Sequence, residues 1–86
     1  MFAELYLPPE LPVDRDEVED AVAELFGEDV ECVGAGMSDL GSNLDFEFKT
    51  RRAPDALAAA LRPVLHGLNV VGGRIRVEGH EDWLDL

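Results

Sequence analysis

Between Asn43 and Lys49 the chain alternates strictly, with Leu44, Phe46 and Phe48 apolar and Asn43, Asp45, Glu47 and Lys49 polar. Successive side chains of a strand point to opposite faces, so this run describes a sheet with one face on a core and the other in water. That is the pattern of an antiparallel sheet covered on one side only. Everything else in the chain has to supply the cover and the neighbouring strands.

Phe2, Glu4 and Tyr6 alternate with Ala3, Leu5 and Leu7 in a first strand that ends at Pro8-Pro9, where neither strand nor helix continues easily. Residues 14–26 then place Val18, Ala21, Val22, Leu25 and Phe26 on one helical stripe. Asp14 with Glu17 three residues on predicts a capping box, Val13 and Val18 a hydrophobic staple, and Gly27 the C′ position. Residues 30–37 read as a second strand, in which Gly34 and Gly36 suggest a bulge or a close backbone approach. Residues 38–42 form the hairpin loop before the alternating strand.

Pro54 at a first helical position opens a second helix with a stripe of Leu57, Ala60, Leu61, Val64 and Leu65, ended by Gly67. Pro63 falls inside that stripe and predicts a kink or a break, since it lacks the N–H donor and clashes with the carbonyl four residues back. Residues 74–78 make a fourth strand with Ile75 and Val77 turned inward, and residues 79–86 a short tail whose Trp83 packs on the body.

The order β, α, β, β, α, β predicts a single α+β domain over residues 1–86, a ferredoxin-like two-layer sandwich with two helices on one face of a four-stranded antiparallel sheet. The open face then presents Glu4, Asp45, Glu47, Lys49, Arg74, Arg76 and Glu78, with enough alternation of sign to pair across strands. The uncovered face and the outer strands also offer a route to a homodimer or a structural oligomer.

No apolar run approaches the roughly 20 residues of a membrane span, and Met1 leads into the first strand without a basic leader, so a cytoplasmic protein is expected. The single Cys32, in an apolar stretch without a basic neighbour, reads as a buried and inert thiol.

Charge is the strongest functional signal. The chain carries 19 acids and 7 bases, a net charge of −12, which disfavours nucleic acid and anionic membrane as partners. Residues 1–43 hold 12 of the acids and one base, Arg15, whereas residues 44–86 hold 7 acids and 6 bases. A salt-adapted or GC-rich source would also favour Asp, Glu and Arg, but a general adaptation should coat both halves alike. On the outer side of the first helix stand Asp16, Glu19, Asp20 and Glu24, where Asp16/Asp20 and Asp20/Glu24 are like-charge i, i+4 pairs costing about 0.2–0.5 kcal/mol each. These four are the candidate partner-binding residues, and the expected partner is a basic protein.

Catalytic, cofactor and metal sites find no support in the residue pattern. Gly34-Ala35-Gly36 with Gly41 lacks the spacing, the following helix and the cation of a phosphate loop. His80, Glu81, Asp82 and Asp85 are close in sequence without the paired spacing of metal ligands, and His66 suits a helix C-terminus. Acylphosphatase, heavy-metal carrier and RNA-recognition chemistry would need, respectively, an arginine loop after strand one, a CxxC pair, and exposed aromatics with bases on the middle strands. A small-molecule regulatory domain using the open sheet face is the alternative reading.

The stretch Gly41-Ser42-Asn43-Leu44-Asp45-Phe46-Glu47, followed by Ala53-Pro54-Asp55-Ala56-Leu57 opening a helix, resembles a type of small uncharacterised bacterial protein, some members of which are thought to neutralise toxins. The resemblance covers the central third. It implies an immunity or inhibitor protein, a class that is often small and acidic because its target is a cationic nuclease. No binding residue carries over from it.

Overall fold

The computed structural model describes residues 1–86. Its elements run β1 (Phe2–Leu7), α1 (Arg15–Phe26), a 3-10 turn (Gly27–Asp29), β2 (Val30–Ser38), β3 (Gly41–Phe48), α2 (Pro54–Gly67), β4 (Arg74–Val77) and β5 (Leu84–Asp85). The protein is α+β, with two helices and a five-stranded antiparallel sheet of order β2-β3-β1-β4-β5.

β1 lies in the middle and fixes the register on both sides, with Leu5 opposite Leu44 of β3 and Ile75 of β4, and Ala3 opposite Phe46 and Val77. Directly opposed residues share a face, so these positions form one apolar surface. Val18 and Val22 of α1 and Leu57, Ala58, Leu61 and Leu65 of α2 close over it in a single core of 15 buried hydrophobic residues.

The expected four strands are five. Leu84 and Asp85 pair with Ile75 and Arg74, and the addition is secured from both ends of the segment. The Leu86 amide donates to the Gly73 carbonyl at 2.9 Å, and the Arg62 guanidinium donates to the Asp85 carbonyl at 2.9 and 3.2 Å. Leu84 and Leu86, half-buried against the core, supply the apolar contact that holds so short a strand.

The second helix continues through Pro63 to Gly67 without breaking into a separate turn. Pro63 is exposed, and the residues around it that bear on the core, Leu61 and Leu65, are fully buried. Packing of the helix therefore outweighs the missing hydrogen bond. The helix ends at Gly67, but the left-handed residue that follows is Asn69: it takes a φ of 61°, which asparagine tolerates better than most residues, and its amide donates to the His66 carbonyl.

At α1, Asp14 occupies the N-cap with an extended backbone, but its side chain makes no capping bond; the Asp14 backbone carbonyl accepts from the Glu17 amide at 3.0 Å instead. Gly27 ends the helix with a positive φ of 60°. The hairpin between β2 and β3 is tighter than expected, with only Asp39 and Leu40 between the opposed Ser38 and Gly41. Gly41, at φ 133°, is needed there, since a side chain would run into the Leu7 carbonyl.

Truncating the core should distinguish buried from exposed members of the apolar pattern. Leu5→Ala is expected to cost about 2–5 kcal/mol, whereas Leu25→Ala, at a site 42% exposed, should fall within about 0.5 kcal/mol of wild type; urea denaturation measures both.

Candidate functional site

Helix α1 separates the four acids singled out in the sequence. Asp16, Asp20 and Glu24 are exposed and follow one another at i, i+4 spacing along the outer surface. Glu19 is half-buried and turns toward β2, where its charge bears on the Cys32 thiol. The structure thus keeps three of the four on one ridge and moves the fourth to the flank facing the sheet edge. Leu25, expected in the apolar stripe, borders Glu24 together with Ala21 and Val64 in a shallow apolar depression between the helices.

Every ion pair in the molecule lies away from this ridge. The amino terminus meets Glu47 at 3.2 Å, Arg51 meets Glu78 at 3.6 Å, Arg52 meets Asp29 at 2.9 Å, Arg74 meets Asp85 at 3.6 Å and Arg76 meets Glu4 at 2.8 Å. Fourteen of the nineteen acids have no ion-pair partner, including all of Asp14, Asp16, Glu17, Glu19, Asp20, Glu24 and Glu28. Arg15, the one base of the N-terminal half, does not relieve them, because its guanidinium donates to the Gly36 carbonyl at 3.1 Å.

Asp29 marks the inner limit of the acidic ridge and is structural. Its carboxylate accepts from the Thr50 amide at 2.9 Å and from Arg52 Nη2 and Nε at 2.9 and 3.2 Å. The Arg52 guanidinium also lies 4.6 Å from the centre of the Phe26 ring, which meets Phe48 edge to face at 5.1 Å. Hydrogen bonds from Thr50, then from Arg52, hold the Asp29 carboxyl below its ordinary 3.8. Cys32 is shifted in the opposite sense: burial pushes its thiol up, and the negative charge of Glu19 adds to the effect.

The sheet's open face carries a second feature that composition did not reveal. Trp83 folds from the tail onto Tyr6, with ring centres 6.5 Å apart at 76°, and the Arg76 guanidinium lies 4.7 Å from the indole centre. Tyr6 and Trp83, together with Glu4, Gly36, Asn43 and neighbouring hairpin residues, border a cleft of about 360 Å³. The Tyr6 hydroxyl donates to the Leu40 carbonyl at 2.5 Å and ties the hairpin tip to β1. His80, Glu81 and Asp82 do not converge, and no group of three or more metal-ligating side chains comes together. No helix is long and apolar enough to cross a membrane.

No family model, curated protein or solved structure matches this chain.

Two titrations follow from these surroundings. Because the folded state lowers the Asp29 pKa, its ionised form contributes stability in full above 3.8 and loses it as pH falls through the lowered value. Asp29→Asn should therefore be less stable than wild type at neutral pH, with the gap closing on acidification below 3.8, as read by chemical denaturation at a series of pH values. The raised Cys32 thiol should react with a disulfide reagent more slowly in the native protein than in urea, and Glu19→Gln should speed the native reaction.

Proposed function

We propose that this protein is a non-enzymatic binding module that docks its acidic α1 side onto a basic protein. One observation carries the reading: none of the seven acids from Asp14 to Glu28 is in an ion pair, while Arg51, Arg52, Arg74 and Arg76 are all paired elsewhere. A ridge of like charges costs folding stability, and a cationic surface placed against it would remove that cost while speeding encounter. Asp16, Asp20 and Glu24 form the exposed front, with Glu19 on its inner flank. A basic toxin is one partner of this chemistry, in keeping with the resemblance to immunity-type proteins.

We read the architecture as a ferredoxin-like sandwich extended by β5. The order β2-β3-β1-β4 of the first four strands and the shared core under both helices support that reading. A small-molecule role is the second reading, and the cleft beside Tyr6 and Trp83 favours it, at the small end of the volumes that ligands occupy.

Affinity capture from native lysate at low salt tests the first reading, with wild type and the Asp16→Lys, Asp20→Lys, Glu24→Lys triple variant run in parallel. A basic protein held by wild type, released by high salt and missed by the variant is the expected result. Equal retention by both columns would remove the acidic ridge from the interface.

A further inference from the structure

β2 is an edge. It pairs with β3 on one side and with nothing on the other, over nine residues, Val30–Ser38. Long free edges are normally protected by lysine, proline or a covering element. β2 contains neither lysine nor proline, and its protection amounts to Glu31, a bulge at Val33, where the register shifts between Cys32 and Gly34, and the Arg15 side chain on the Gly36 carbonyl. Beyond the bulge, Gly34 to Ser38 keep a regular register with β3, in which Gly34, Gly36 and Ser38 oppose the β3 residues whose backbone faces β2, so that the N–H and C=O of Ala35 and Met37 are turned to the free side.

The glycines give this edge a chemical character. Gly34 lies opposite Asp45 and Gly36 opposite Asn43, and both β3 side chains lean across β2. A methyl group on Gly34 would lie 3.0 Å from Asp45 Oδ2, and one on Gly36 would lie 2.6 Å from Asn43 Oδ1. A carboxylate and an amide oxygen from β3 are thereby presented over β2. Asp45 has no cation: it only accepts from Asn43 Nδ2 at 2.9 Å. On the other face of β2, Glu19 stands beside Cys32. A strand added to this edge would run between acids above and below, at the usual spacing of about 4.8 Å from β2.

We infer that the free edge of β2 receives an extended basic segment of the partner, which joins the sheet as a sixth strand with lysine or arginine side chains over Asp45. This inference rests on the acidic-docking reading and gives it a geometry, sheet extension flanked by the α1 acids. Charge decides against a second copy of the chain, because β2-to-β2 pairing would bring two molecules of net charge −12 together with their Asp45 and Glu19 carboxylates at the seam.

A peptide of alternating lysine and valine, as long as β2, tests this at low salt against the same peptide N-methylated at every amide, which keeps the charges and removes the backbone donors. The unmodified peptide should bind about tenfold or more tightly than the methylated one, and should shift the amide signals of Ala35 and Met37, which face the free side, in nitrogen-edited NMR spectra. Asp45→Asn, which preserves shape, should weaken it a few-fold. Equal binding of both peptides, with shifts confined to Asp16 and Asp20, would overturn edge pairing and leave acidic docking standing. Failure of both peptides to bind would overturn both. A concentration-dependent dimer of the chain that excludes the peptide would assign the edge to self-association and refute the inference.

Discussion

The structure depends on β1 being sandwiched between β3 and β4. Ala3, Leu5 and Leu7 are completely buried, and each faces apolar or small partners across one or both neighbouring strands. A one-residue slip of β1 would exchange these three for Phe2, Glu4 and Tyr6 and put a carboxylate into the core. Register is therefore specified by the core alone. Glu4 with Arg76 and Tyr6 with the hairpin tip then fasten the wet side of the same strand.

The arginines are spent almost entirely on closing this fold. Arg52 gathers Asp29, Phe26 and Phe48 where the helix-to-strand turn meets the end of β3, Arg62 holds the last strand, and Arg74 and Arg76 lie across the open face. Exposed pairs of this kind contribute little individually. Their larger effect is on where charge remains: the half of the sheet around β1 and β4 is locally balanced, and α1 with β2 is left negative. The asymmetry seen along the sequence thus becomes an asymmetry of sides.

Much of the fold was legible because burial and periodicity coincide. β1 alternates for six residues and β3 for the seven from Ser42 to Phe48, long enough to be unambiguous, and Val18 and Val22 mark the inner line of α1. β5 escaped notice because two residues carry no period, and what holds them is the Arg62 guanidinium from a distant helix. The break expected at Pro63 as one of two outcomes does not occur, because the packing of Leu61 and Leu65 on either side holds the helix together. For the candidate site, helical spacing placed Asp16, Asp20 and Glu24 correctly on the outside but also grouped Glu19 with them, since the position of β2 against that flank is a tertiary fact. The glycines of β2 announced a close approach, and Val33, not either glycine, is the bulged residue. Their consequence, that Asp45 reaches over the strand, required the register.

The two margins of the sheet differ in capacity. One ends in a strand of two residues, held in place by Arg62 and too short to template another chain; the other runs for nine. A sheet built this way is monovalent toward strand addition. Once its long margin is occupied there is no second place of comparable length to continue from, so association through this sheet stops at a closed pair and does not propagate into a fibre.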